Sequence, residues 1–169
     1  VAVAELAVDG FVGRALSLAG AARGGSYVVP VHTDPAFAFE GGFQVQVALR
    51  PEEPRRGRVL LLDRSLKLEV TQRLGIVATV GTQRYDEETG REIGAGNAVL
   101  TTPDEVLALG QWSRVLVSYD RSRLTVLVEG VEVASLEEEG DVLPVKAAMI
   151  LGGGDRPWGG SLDSLVISA

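Results

Sequence analysis

The chain has 169 residues, 46% of them hydrophobic, a formal net charge of −7 and no cysteine. That length fits one domain, which buries roughly 70% of its unfolded surface and needs no staple. The acidic balance excludes a general nucleic-acid binder, the missing cysteine excludes disulfides and thiolate metal sites, and no apolar run approaches the about 18 residues of a spanning helix.

Residues 1–8 are apolar except for Glu5 and start without an initiator methionine or basic leader. They read as the continuation of an upstream region, which makes 1–9 a lead-in and 10–169 the domain. A short strand is predicted over 27–31 and a loop with Pro35 over 32–39. Residues 43–50 alternate, with Phe43, Val45, Val47 and Leu49 on one face and Gln44, Gln46 and Arg50 on the other, the pattern of a half-buried strand. A charged loop over 52–57 precedes strands at 59–62, 66–71 and 76–80. Residues 83–97 are acidic and broken by glycine and threonine, so they read as the longest loop. Thr102-Pro103-Asp104-Glu105 has the form of a capping box with proline at the first helical position, predicting one helical turn that ends at Gly110.

Residues 112–136 are the most informative. Three β-rich runs, 112–119, 124–128 and 131–136, are separated by the turns Asp120-Arg121-Ser122 and Glu129-Gly130, the pattern of an antiparallel meander. An acidic loop over 137–141, a strand ending in glycines over 149–154 and a final strand over 160–168 complete an all-β sandwich or barrel. Among sixteen basic residues only Lys67 and Lys146 are lysines, and there is a single Asn97. This bias fits a thermophilic source, and a GC-rich genome would give the same one.

Gly110, Trp112, Val115, Val117, Tyr119, Asp120, Leu124, Val128, Gly130 and Val133 match the pattern G-x-W-H-x-V-x-V-T-Y-D-G…L-x-L-Y-V-D-G-x-x-V. Upstream, Gly13, Ala15, Leu16 and Gly20 match an opening G-x-x-G-x-A-L-x-F-D-G. Gly42, Phe43 and Arg50-Pro51 match G-x-F-T-x-x-A-W-V-K-P, with Ala48 in place of the tryptophan. Residues 160–168 match a closing G-x-I-D-E-V-R-I-Y. In this order, from about Gly10 to Ser168, the blocks resemble the laminin-G-like jelly rolls of the concanavalin A-like superfamily. The resemblance implies a jelly-roll β-sandwich of two antiparallel sheets, with at most one short helical turn. It also implies an extracellular or cell-surface module that binds glycans or protein partners through loops at one edge.

Regular alternation in the last strand puts Asp163, Leu165 and Ile167 on one face, turned inward. An inward carboxylate needs donors or a cation. In relatives the equivalent aspartate supports a structural calcium ion with backbone carbonyls near the first strand. Here the partner motif reads Leu18-Ala19-Gly20 and lacks its aspartate, so Asp163 is either held by backbone donors or a calcium ligand. Trp158 in the loop GGGDRPWGG is a candidate stacking platform for a sugar, with Asp155 and Arg156 as hydroxyl partners. Packing of its ring on the sandwich edge is the structural alternative. Tyr85 and Asp86, with Glu87, Glu88 and Glu92, form a second candidate binding loop that lacks calcium-loop order and also reads as a solvated hairpin tip. The arginines 50, 55, 56 and 58 are candidates for phosphates or acidic glycans, or plain soluble surface.

Catalytic signals are absent. His32 has no nucleophile at a recognisable spacing, there is no G-x-S-x-G, and no strand carries the E-x-D-x-x-E array of glycosidases on this fold. The glycine runs at Gly24-Gly25 and 152–154 lack the helix and lysine of a phosphate loop. The sequence therefore reads as a non-catalytic recognition or adhesion module of a bacterial surface or secreted protein. A displayed domain of a pilin-type appendage is the alternative, and a glycoside hydrolase the more remote one.

Overall fold

The computed structural model describes residues 15–18, 26–31, 37–39, 41–86, 88–156 and 158–169. Residues 1–9, Gly13, Ala19, Gly20, His32 and Glu87 lie outside the described residues.

Among the described residues thirteen strands form two sheets: β1 (Leu16–Ser17), β2 (Ser26–Val29), β3 (Phe43–Pro51), β4 (Gly57–Leu62), β5 (Leu66–Val70), β6 (Ile76–Tyr85), β7 (Glu92–Thr101), β8 (Ser113–Tyr119), β9 (Arg123–Val128), β10 (Val131–Glu137), β11 (Asp141–Val142), β12 (Met149–Gly152) and β13 (Gly160–Ser168). The first sheet runs β1-β13-β3-β8-β9-β10. The second runs β11-β6-β5-β4-β12-β2, with β7 also paired to β6. Every pairing is antiparallel, and the described residues contain no α-helix. The predicted all-β sandwich is the observed architecture.

The core lies between the sheets. Phe43, Val45, Val47 and Leu49 of β3 point into it as the alternation requires, joined by Val115, Val117 and Tyr119 of β8 and by Leu124 and Val126 of β9. The facing sheet contributes Leu66 and Leu68, Ile76, Ala78 and Val80, and Met149 and Leu151. The meander forms as read. Val131 pairs with Val128 across Glu129 and Gly130, whose φ values of 50° and 78° are those of a two-residue type I′ turn. At its other end Asp120 Oδ1 accepts from the Ser122 and Arg123 amides at 3.0 and 2.8 Å and from Ser122 Oγ at 2.8 Å.

Two predicted elements are corrected. Residues 83–97 are no loop: β6 continues to Tyr85 and β7 begins at Glu92, leaving only a short tip. The glycines that read as breakers sit within the ladder, Gly96 opposite Thr82 and Gly94 opposite Arg84. The capping box makes no helical turn either. Thr102 Oγ1 accepts the Ile76 amide at 2.9 Å, and Glu105 sits at φ 59°. The amides of Glu105 and Leu107 donate to the carbonyls of Arg73 and Leu74, so bonds to the β5–β6 turn replace helical ones while Leu107 is buried at 2% exposure.

Candidate functional site

One end of the sandwich gathers three connections. The tip of the β6–β7 hairpin brings Tyr85, Asp86 and Ile93, the β8–β9 turn brings Asp120, Arg121 and Ser122, and the β10–β11 loop brings residues 137–141. Between them lies an open cleft of about 940 Å³. Pairing of Asp141 with Gln83 and of Val142 with Thr82 draws the acidic loop against β6 and beside Tyr85.

Tyr119 fixes that loop from beneath. Its ring is in the core at 1% exposure, and its hydroxyl reaches the carbonyl oxygens of Glu138 at 2.9 Å and Gly140 at 2.8 Å, its one proton shared between them. The Glu138 amide donates to the Ser122 carbonyl and the Gly140 amide to the Arg121 carbonyl, tying the loop to the meander turn. Arg84 pairs with the Glu138 carboxylate and donates from Nε to the Glu139 carbonyl, while Arg121 pairs with Asp141 at 2.5 Å.

Among the described residues the cleft is electronegative, with six carboxylates (Asp86, Asp120, Glu137, Glu138, Glu139 and Asp141) against two arginines, Arg84 and Arg121. Burial, reinforced by Glu138, Asp120 and Asp141, pushes the Tyr119 phenol up to about 12. Asp86 builds the hairpin tip. Its Oδ1 accepts from Thr89 Oγ1 and the Thr89 amide, both at 2.7 Å, and from the Glu88 amide at 3.1 Å. The Thr89 hydroxyl bond chiefly holds the Asp86 carboxyl below its ordinary range, as the Ser122 hydroxyl bond does for Asp120. The wall thus combines two exposed apolar side chains, Tyr85 at 45% and Ile93 at 65%, with carboxylates, the Ser122 hydroxyl and two guanidiniums. An aromatic face and convergent hydrogen-bonding groups suit a polyhydroxylated ligand.

The structure separates the residues that the sequence nominated. Tyr85 and Asp86 stand together at this cleft. Asp155 and Arg156 are exposed elsewhere, and Arg156 borders a second cleft beside Val77, at the opposite end of β6. Eight residues of strand put the two ends about 26 Å apart. Trp158 is corrected as a stacking platform: it has 0% exposure and lies beneath β13, where a Cβ on Gly160 would come within 2.4 Å of its Cζ2. Its ring offers no face to a sugar. Trp112, just ahead of β8, is half-buried under the Arg50 guanidinium, 5.3 Å from the ring centroid.

The predicted orientation of Asp163 is also corrected. The β13–β3 register shifts between Asp163 and Val166, and Ser164 takes φ 52°. This bulge inverts the alternation, so Leu162, paired with the inward Leu49, shares the core face with Leu165 and Ile167. Asp163 pairs with Ala48 and faces away from the core, though only 8% exposed. Its Oδ1 accepts the Ser164 amide at 2.6 Å, and its buried Oδ2 has no partner among the described residues. Calcium needs six or more oxygens. Among the described residues no group of three or more histidine, cysteine, aspartate or glutamate side chains gathers to hold a metal, and the segment around Ala19 and Gly20, whose backbone carbonyls the resemblance invokes, lies outside the described residues.

The acidic loop and the Asp120–Ser122 turn were missed as neighbours of Tyr85. The three segments are distant in sequence and meet through β11 pairing with β6, for which two residues of strand leave no pattern, and through bonds from the acidic loop to the β8–β9 turn and to Arg84.

No family model and no curated protein matches the chain. Solved structures do. Domains LG4-5 of the mouse laminin α1 chain align at a TM-score of 0.60 and 13% identity, covering 86% of this chain and 41% of that one. The CBM40 of the Ruminococcus gnavus IT-sialidase, bound to α2,3-sialyllactose, aligns at 0.59 and 14% identity over 85% of both chains. Domain 4 of AbnA, a GH43 extracellular arabinanase from Geobacillus stearothermophilus in complex with arabinotriose, aligns at 0.58 and 20% identity over 95% of this chain and 73% of that one. The two antiparallel sheets, their order and these alignments together show that the chain has the jelly-roll sandwich fold of these structures.

Proposed function

We propose that this chain is a non-catalytic recognition module of a secreted or surface-exposed protein, binding a saccharide in the cleft at the Tyr85 end of the sandwich. The observation that carries the reading is the half-exposed Tyr85 ring at the mouth of a cleft whose polar groups include hydroxyl, carboxylate and guanidinium. An aromatic face packs against the C–H face of a pyranose or furanose while the polar groups take its hydroxyls. Two of the similar folds carry saccharides, sialyllactose and arabinotriose. Among the described residues no helix is long and apolar enough to cross a membrane.

The test is a glycan array run with and without calcium, followed by titration calorimetry on the best ligand. Tyr85→Ala should abolish binding without changing the melting temperature, whereas Trp158→Ala should destabilise the fold. Undiminished binding by folded Tyr85→Ala would move the site elsewhere. Turnover of a glycan, lost on mutating a single glutamate, would replace the module with an enzyme.

A further inference from the structure

The second cleft has the opposite sign. Four loops converge on the outer face of the seven-stranded sheet: Pro54 and Arg56 before β4, Thr71, Gln72 and Arg73 after β5, Asp104 after β7 and Arg156 after β12. Val77, Val99 and Thr101 line the same cleft. Pairing of Val77 with Thr101 and of Thr79 with Val99 sets their side chains on the face turned from the core, and Val99 is 52% exposed. Three arginines face one aspartate here, in a protein of net charge −7.

Two of the three guanidiniums, those of Arg56 and Arg73, have ion-pair partners. Glu69, with its side chain only 15% exposed, takes Lys67 at 2.9 Å and Arg56 at 3.8 Å, and Arg73 pairs with Asp104 at 3.2 Å. The Arg156 carbonyl accepts the Arg58 amide at 3.1 Å, while its guanidinium has no ion-pair partner among the described residues. Beside it Arg58 Nε donates to the Gly152 carbonyl at 3.0 Å. The glycine turn is shaped around that group, since a Cβ on Gly154 (φ 84°) would lie 3.3 Å from Arg58 Cζ. A residue with a side chain would crowd the arginine, which gives these glycines a reason beyond turning the chain.

We propose that this cleft binds the anionic substituent of an acidic saccharide, a uronate carboxylate or a sulfate ester. Arg56, Arg73 and Arg156 take the anion, and the Val77–Val99–Thr101 floor lies under the ring. Planar guanidiniums form paired, charge-assisted hydrogen bonds to carboxylate or sulfate oxygens. The apolar floor favours a sugar ring over a naked anion, and the Thr71, Gln72 and Thr101 side chains are partners for hydroxyls. A nucleic acid fits poorly, because the described residues of the cleft include no aromatic ring for a base. The inference rests on the reading of the chain as a saccharide-binding module but concerns a separate surface.

The experiment is titration calorimetry with four probes: an oligogalacturonate, its carboxyl-reduced counterpart, a sulfated galactan oligosaccharide and a poly-glutamate peptide. At least one acidic oligosaccharide should bind, with affinity falling as salt rises, and the reduced chain should bind at least about tenfold more weakly at this cleft. Arg73→Gln and Arg156→Gln should each weaken the acidic chain by about tenfold, with unchanged melting temperatures, and Tyr85→Ala should leave it unchanged. Preference for the sulfated or the uronate chain identifies the anion, and either supports the inference. Equal binding of the reduced chain, tighter binding of poly-glutamate, or no binding of either acidic chain overturns it. Neutral glycans that still bind at Tyr85 would then show that the proposed function survives alone, and loss of both would remove the module reading as well.

Discussion

Replacing Tyr119 with phenylalanine tests the device that holds the acidic loop over the core. The ring stays, buried at 1% exposure, and only the hydroxyl contacts to Glu138 and Gly140 are lost. One shared proton between two half-exposed carbonyls contributes about 1 kcal/mol, since water reaches both acceptors in the variant. For a domain of this length that lowers the melting temperature by about 2–4 °C at neutral pH. The pH dependence adds an independent signature. The folded phenol is pushed from its ordinary 10.0 to about 12, so its contribution is complete below pH 10 and is lost as pH rises towards about 12. In that window the unfolded phenol ionises and the folded one does not, which draws the wild type towards unfolding. The variant has no proton there to lose. Melting curves by circular dichroism across alkaline pH should show the gap between the two proteins closing above pH 10 and changing sign before about 12, because the rise from 10.0 to about 12 outweighs about 1 kcal/mol. No gap at neutral pH refutes the assigned hydrogen bonds, and a gap that stays constant through the alkaline range refutes the burial of the phenol beside these carboxylates.

Trp158→Ala should cost about 3–5 kcal/mol, a fall of roughly 10 °C in thermal melts, because it empties a fully buried indole site; unchanged stability would mean the ring is not in the core. In the β6–β7 hairpin, Gly81→Ala should fold poorly, since its Cβ would lie 2.0 Å from the Arg64 carbonyl oxygen, whereas Gly96→Ala meets only Thr82 Oγ1 at 3.4 Å and should shift stability by less than about 1 kcal/mol. Equal tolerance of the two alanines would refute the pairing of β6 with its neighbours. Deleting Ser164 should leave a folded protein within about 2 kcal/mol of wild type, because the loss of its amide bond to Asp163 is offset by removing a residue at φ 52°; an unfolded product would refute the bulge. Millimolar calcium against chelator should leave the melting temperature unchanged, and a rise of several degrees would expose a metal site.

Most of the fold was legible because its signals are local. The meander is specified by apolar periodicity and two turns, one made by Asp120 and Ser122 and the other by Glu129-Gly130, each of which needs only its own few residues to form. Strand β3 was readable for the same reason, alternating against a single core face. The errors arose where tertiary bonds overrode local preference. Gly94 and Gly96 weaken a strand in isolation, yet the backbone pairs with β6 all along β7. Thr102 has a capping side chain, yet the Ile76 amide on the neighbouring strand β6 donates to its hydroxyl oxygen.

The sites were less legible because both depend on parity and convergence, which a linear pattern does not carry. A single inserted residue, Ser164, moves Asp163 from the core face to the outer face while Leu165 and Ile167 stay in the core. Period-two reasoning across such a point assigns every residue on one side of it wrongly. Tyr85 and Arg156 were nominated as parts of separate loops, but nothing local shows that a hairpin of ten-residue strands carries Ile93 to one end of the sheet and Val99 to the other. The same length keeps a cleft rich in carboxylates and a cleft rich in arginines at opposite ends of one rigid ladder. Two clefts of opposite charge cannot compete for one charged ligand, so the acidic end selects against the anions that the basic end attracts. On the proposed saccharide-binding reading, discrimination between neutral and acidic chains follows from strand length and loop placement before any single contact is considered.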